Sequence, residues 1–368
     1  MFVCEPVVDS HFAAVVEPCA MTRMPLAPDV GIVIANHNNA AYVRTAIESA
    51  ARQTVRRIQV VVVDDASTDE SDEVIRDYLA DLADERIRYL RLPANLGQAG
   101  AIRRGLAELE TPFVAFLDSD DVWYEGFVAQ HLVAHLNADF PVALTYCDSH
   151  IIDAQGRMLA GTAWWFDHVS VSPSCCRPLD CSVIPRIRPE TGEVVYPDNP
   201  RLTFFDEWSL DRGSNSMSSM MFRREFVNLV LTPPDGDLRL FVDFYLSTFA
   251  SLLTGAIAVH EALYAYRMHG LNKHSNGSVL GGTYNSSTTS WTPKRDGILR
   301  VVSEVLQSHA QSLRMAFGDY RHARAHTLVE HALKRCRTDG TDRGRLAAVL
   351  PAKLARWLVA LKISRRCR

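Results

Sequence analysis

Nowhere in its 368 residues does the sequence contain a run of about 18 apolar positions, the length a membrane-crossing helix requires. Its eight cysteines are too few for a disulfide scaffold in a chain this long, and none forms a Cys-x-x-Cys pair. The local group Cys175, Cys176 and Cys181 lacks the second pair that a structural zinc site needs. Sparse cysteine implies a reducing compartment, and the expected location is cytoplasmic. Neither Gly-x-Gly-x-x-Gly nor a P-loop lysine motif occurs, which argues against dinucleotide-binding and P-loop chemistry. With 47% hydrophobic and 22% charged residues, the composition is that of a globular chain rather than a disordered one.

Residues 1–27 carry Glu5, Asp9, His11 and Glu17, which interrupt any signal-peptide core; they read as a lead-in. Charge is unevenly spread. Arg321–Arg368 holds thirteen basic and three acidic residues, so the rest of a chain of net charge −4 carries −14.

From Val30 the pattern alternates strand and helix. Val30–Ala35, the β-branched run Ile58–Val63, Arg86–Leu92, Pro112–Leu117 and Val142–Cys147 read as strands. Helices are expected after Asn39, over Glu70–Ala83, over Gly97–Leu109 and near Glu125–Asn137. Such alternation predicts an α/β fold with a central, mostly parallel sheet flanked by helices. Ligands bind such sheets at the carboxyl ends of the strands. Three of those ends carry polar clusters: Asn36–Asn39, Asp64-Asp65 and Asp118-Ser119-Asp120-Asp121.

After about residue 151 the alternation stops, and 160–213 is an irregular insertion rich in Pro, Ser, Trp and Asp. Ser216–Phe222 resumes as a strand, Leu238–Leu253 as a helix, and Ala256–His260 and Ala262–Arg267 as two short strands. Residues 28–272 form the expected main domain, with 28–150 its first half and 151–272, which holds the insertion, its second. Residues 273–295 read as a linker and 296–368 as a basic helical region.

Several side chains stand out chemically. Asp118 and Asp120 can share a divalent cation, or can simply cap the next helix. In Asp64-Asp65 one carboxylate can accept from a base edge, with Ser67 or Asp69 capping the helix that follows. Arg103 or Arg104 can face a diphosphate. Asp243, inside the apolar run Leu238–Phe249, reads as a general base, a helix-terminal charge or half of an ion pair. His269 reads as a metal or phosphate contact or a plain surface residue. Trp164, Trp165, Phe166 and Trp208 either cover an acceptor or bury the insertion. Leu346, Val349, Leu350, Leu354, Trp357, Leu358 and Leu361 recur at helical spacing beside Lys353, Arg356, Lys362 and Arg365. That tail reads as a basic amphipathic helix on an anionic membrane surface, or as one docked on the acidic body or in a dimer contact.

The segments Ile32–Asn39, Val61–Asp69, Asn95-Leu96-Gly97, Phe116–Asp121, Met217–Arg224, the Asp243 stretch and Tyr266-Arg267-Met268-His269 occur in one order. Together they resemble family 2 glycosyltransferases of the GT-A fold. The resemblance implies a metal-dependent, inverting transferase. It would move a sugar from a nucleotide-diphospho-sugar, UDP-linked in the favoured reading, to a glycan, lipid-linked or protein hydroxyl, as in surface polysaccharide or glycoconjugate synthesis. By position it places Ala35, His37 and Asp65 in the nucleobase pocket and Asp118 at the ribose. Asp120 and His269 would hold Mn2+ or Mg2+, Arg103 would meet the diphosphate, and Asp243 would be the base. Trp208 is the acceptor candidate. No nucleic-acid partner is implied. His37 stands where the family commonly has Tyr, Val242 replaces the Glu that often precedes the base, and Ile102-Arg103 replaces Arg-Asn. The alternatives are a sugar nucleotidyltransferase, or a catalytically silent nucleotide-sugar-binding module.

Overall fold

The computed structural model describes residues 28–138, 140–162, 186–187, 194–195, 202–206, 208, 216–231, 241–270, 272 and 291–339. The β-branched runs become strands buried on both faces, as their composition dictates. In β1 (Val30–Asn36) and β2 (Ile58–Asp64), residues Val30, Ile32, Ile34, Val60 and Val62 have no exposed surface. Each is followed by a helix, α1 (Ala40–Ala51) and α2 (Ser71–Leu82). Next come β3 (Ile87–Arg91), α3 (Gly97–Ala107), β4 (Phe113–Asp118), the short β5 (Val122–Trp123) and α4 (Phe127–Leu136). Helix α3 lies so close on the sheet that a Cβ at Gly105 would sit 2.5 Å from Val33 Cγ1. That explains the small residues in its sequence.

The chain continues through β6 (Leu144–Asp153), β7 (Met158–Ala160), β8 (Arg186–Ile187), β9 (Val194–Val195) and β10 (Leu202–Phe205). A 3-10 turn, Met217–Ser219, precedes β11 (Met220–Arg223), so the expected strand over 216–222 begins four residues late. Helices α5 (Arg224–Val230) and α6 (Val242–Leu253) lead to β12 (Ala256–Met268). The two short strands expected there are one strand, whose register against β6 shifts between Val259 and Ala262 and again before Tyr264. The bulge breaks the sequence alternation without breaking the strand.

The main sheet runs β10-β12-β6-β11-β4-β1-β2-β3, with β5 on β12 and β7 on β6. Strands β3, β2, β1, β4, β6 and β12 share one direction; β11 is antiparallel to both its neighbours. The carboxyl ends of six strands therefore form one edge.

Helices α7 (Trp291–Ser308), α8 (Ala310–Phe317) and α9 (Asp319–Asp339) form the C-terminal extension. Helix α7 begins inside the stretch expected as a linker. Val302, Leu306, Leu313 and Val329 join the same apolar cluster as Val33, Phe116 and Phe249. Among the described residues no helix is long and apolar enough to cross a membrane. The lead-in, residues 164–166, the linker up to 290 and the basic tail beyond 339 lie outside the described residues.

Candidate active site

The three polar strand ends meet as one laced surface. Asn36 Nδ2 donates to Asp64 Oδ1 (2.9 Å), Asn38 N to Ser67 Oγ (2.9 Å), Thr68 N to Asn38 Oδ1 (2.8 Å), and Asn39 Nδ2 to Ser119 Oγ (2.9 Å). Asp64 is buried and also takes the Ser67 amide (3.2 Å) and hydroxyl. It is the knot of these loops rather than a free ligand. Asp69 accepts from Ala40 N (2.9 Å) and Ser71 N (3.1 Å), tying the starts of α1 and α2. Asn38 (φ 57°) and Ala66 (φ 54°) occupy the left-handed region, costly for alanine and a mark of over-determined loops at functional edges.

Asp65 caps α3: its Oδ1 accepts from Leu96 N (2.7 Å) and its Oδ2 from Gly97 N (2.8 Å). The carboxylate expected at the nucleobase is thus also the anchor of α3, each oxygen keeping a further lone pair. His37 lies beside it, half-buried, with Nδ1 2.9 Å from the Asp65 carbonyl oxygen and 3.2 Å from Asn95 Nδ2. Ala35, half-buried at the end of β1, pairs in register with Asp118 on β4.

The anchored helix then reaches the acidic turn, where Gln98 Nε2 donates to Asp118 Oδ1 (2.8 Å) and Ser218 Oγ receives the Asp118 amide (3.1 Å). Beyond it, Asp120 Oδ2 stands 3.0 Å from His269 Nε2, although the two residues are 149 positions apart. His269 also rests on the ring of Tyr42, centroids 4.9 Å apart. Asp121 is buried and accepts the Arg267 amide on Oδ1 (3.0 Å). Its burial, then the charges of Asp120 and Asp118, push its carboxyl well above the usual range.

An octahedral Mg2+-sized ion, held at about 2.1 Å, sets neighbouring ligands about 3.0 Å apart. Asp120 and His269 are hydrogen-bonded to each other at 3.0 Å, and the same spacing fits such a pair. Among the described residues no group of three His, Cys, Asp or Glu side chains converges on one point. A cation here would therefore draw the remainder of its shell from ligand oxygens and water.

Asp243 sits in the first turn of α6, after Phe241 in the left-handed conformation (φ 64°). Helix α6 packs on β6 and β12 and is joined to β12 by only Thr254 and Gly255. It must run back along the sheet, which brings its first turn to the carboxyl edge. The residue is half-buried, its carboxyl closely surrounded; burial pushes it up to about 6, although Phe244 N donates to Oδ1 (2.7 Å). Arg103 on α3 lies near enough for its charge to act on the Tyr245 hydroxyl of α6. Its Nη1 is buried with no hydrogen-bond partner among the described residues, while Arg104 is exposed. Trp208 is half-buried and packs on the main apolar cluster.

Sequence reasoning did not single out Tyr42, Gln98, Ser218 or Arg267. Gln98 and Arg267 lie inside segments already marked, but nothing in their spacing shows which atoms they reach.

A family model described as glycosyl transferase family 2 matches residues 31–179. An uncharacterized glycosyltransferase of Nostoc sp. is 28% identical over 245 residues, 67% of this chain and 66% of that protein. The succinoglycan biosynthesis protein ExoO of Rhizobium meliloti is 39% identical over 94 residues, 26% of each chain. The teichoic acid poly(glycerol phosphate) polymerase of Staphylococcus epidermidis is 34% identical over 30% of this chain and 15% of its own. The chain thus spans less than two thirds of the length of these curated relatives. Among solved structures, S. aureus TarS 1-349 in complex with UDP-GlcNAc is 16% identical, covering 80% of this chain and 72% of that one, with a TM-score of 0.46.

Proposed function

Residues 31–179 match the glycosyl transferase family 2 model, and from that premise we propose that this chain transfers a sugar from a nucleotide-diphospho-sugar to a hydroxyl of a surface-polymer acceptor, with inversion. The observation that carries this is the approach of Asp120 to His269 at the edge where Asp65 and Asp118 also lie; the first turn of α6 is assigned to the same edge from the direction in which the helix runs. A surface glycan as acceptor accords with the names of the Rhizobium and Staphylococcus relatives. We favour a UDP-linked donor.

In this reading His37 and Asp65 flank the nucleobase beside Ala35, and Asp118, steadied by Gln98, meets the ribose. Arg103 faces the diphosphate with an Nη1 that has no partner among the described residues. Asp120 and His269 hold a divalent cation, Mn2+ or Mg2+, which when bound neutralises charge on the leaving diphosphate. Asp243 takes the proton from the acceptor hydroxyl as its oxygen attacks the anomeric carbon. The carbon–oxygen bond to the diphosphate breaks, and the nucleoside diphosphate leaves with the electron pair. A base raised to about 6 is ionised at neutral pH, yet basic enough to accept that proton. Trp208 packs on the core, so we assign it to holding the insertion rather than to stacking on a sugar.

The test is product analysis. Incubated with UDP- or GDP-sugars and Mn2+, the chain should release nucleoside diphosphate, and Asp120→Asn should suppress the release. Pyrophosphate as the product would establish the nucleotidyltransferase reading. Binding of a sugar nucleotide with neither product would establish a silent module.

A further inference from the structure

Arg267 is a heavily engaged side chain at this edge, and no role at the donor site has yet been given to it. It is 6% exposed. A buried guanidinium must place its donors or suffer a large desolvation penalty. Its Nε donates to the carbonyl oxygen of Asp120 (2.8 Å), in the turn after β4. Its Nη1 donates to the carbonyl oxygens of Asp153 (3.2 Å) and Ala154 (3.3 Å), in the turn after β6. The guanidinium lies 4.9 Å from the centre of the Tyr42 ring on α1, the ring that also supports His269. Its backbone is fixed as firmly: its amide donates to Asp121, and its carbonyl accepts from Asn272 Nδ2 (2.7 Å). Asn272 Oδ1 in turn receives the amide of His269 (2.8 Å), closing the turn that aims the imidazole.

Three parts of the chain, distant in sequence, therefore converge on one side chain; one of them carries Asp120, and His269 lies two residues beyond Arg267 on its own strand end. The backbone of neither can shift against the other without breaking a bond to Arg267 or losing the Tyr42 platform. We propose that Arg267 is a positioning residue for the donor's cation and diphosphate: with Tyr42 it fixes the separation of Asp120 and His269. The inference rests on the cation reading of that pair, but it concerns which residue sets the pair's geometry. Residues that orient metal ligands typically change metal affinity by about 10- to 100-fold when altered.

The experiment uses the full chain and Mn2+ alone, followed by loss of the free-ion EPR signal, and then donor KM and kcat with the sugar nucleotide selected above. Arg267→Lys keeps the charge and loses the fork. It should weaken Mn2+ uptake about 10- to 100-fold and raise donor KM similarly. With saturating metal and donor, kcat should stay within about threefold, because the loss is in binding. A folded Arg267→Lys chain with wild-type Mn2+ affinity and donor KM overturns the inference. Should that variant not fold, Tyr42→Leu decides: it removes the aromatic support and none of the hydrogen bonds described above. Several-fold weaker Mn2+ binding is expected, and wild-type binding again overturns the inference. Failure of the wild-type chain to take up Mn2+ overturns the cation reading itself, and the inference with it.

Discussion

Asp243 shows how one side chain's surroundings set its chemistry. In sequence it is a carboxylate in an apolar run; in the fold it is a closely surrounded carboxyl in the first turn of α6, pushed up to about 6. If it is the base, kcat/KM should fall about tenfold per pH unit below 6 and level off above it. Asp243→Asn should lower kcat by about 10²–10⁴-fold while leaving donor binding intact. A flat profile from pH 5 to 7, measured with a competent acceptor, would remove Asp243 from the reaction. Asp65 carries a different lesson. Its position after a buried strand marks it as important, but only the structure shows both oxygens holding the start of α3. The rivalry between ligand and cap cannot be resolved at the level of residue type, because a carboxylate serves both.

At the scale of elements, α4 and β6 enclose histidines that the proposed chemistry does not use. His131 on α4 pairs with Thr145 (2.7 Å), His135 with the Met221 carbonyl (3.2 Å), and His150 on β6 with the Tyr124 hydroxyl (2.7 Å). Burial holds all three below the ordinary imidazole value: His131 well below, His135 to about 3, His150 to about 4. An unfolded chain takes up these protons near pH 6.5, whereas the folded chain resists until far lower. Below 6.5 the unfolded state binds more protons, so stability should fall as pH drops from about 6.5 toward 4. Asp243 acts in the opposite sense. Its raised value means that the native state binds the extra proton between about 4 and 6, so its contribution is lost as pH rises through that window. Asp121, whose carboxyl is also raised by burial, acts in the same sense as Asp243; three histidines against these two carboxylates leave acid destabilisation as the net result. Melting temperature against pH should show it, and His135→Leu should flatten the slope; an unchanged slope would mean that His135 is not buried and neutral. Elements also show where sequence reading slipped. The 3-10 turn before β11 and the bulge in β12 interrupt the period of two, and a single-sequence pattern reports such breaks as ends.

For the whole molecule, the C-terminal helices share the core that holds Val33, Val61 and Phe116, so the extension forms part of the folded body rather than a tethered module. The charge asymmetry acts at this scale too. If the tail from Leu346 to Leu361 binds membranes, the full chain should sediment with anionic vesicles, more weakly at high salt. Each basic residue near such a surface contributes about 1 kcal/mol, so removing Pro351–Arg368, with Lys353, Arg356, Lys362 and Arg365, should abolish most binding. Equal sedimentation of both forms would assign the tail to the body or to a dimer contact.

The alternation of β-branched runs with helical spacing determined the α/β class, the parallel core and the edge where the polar clusters gather, because strand period and burial on both faces are local properties of composition. The motifs Asp118-Ser119-Asp120 and Tyr266-Arg267-Met268-His269 were likewise legible, since each ends a strand. Only the tertiary structure decided that Asp120 faces His269, that Asp65 anchors α3, and that Arg267 gathers two turns, a helix and its own strand end. Those contacts join residues 31 to 225 positions apart, and their geometry depends on sheet order and register, which no local pattern encodes.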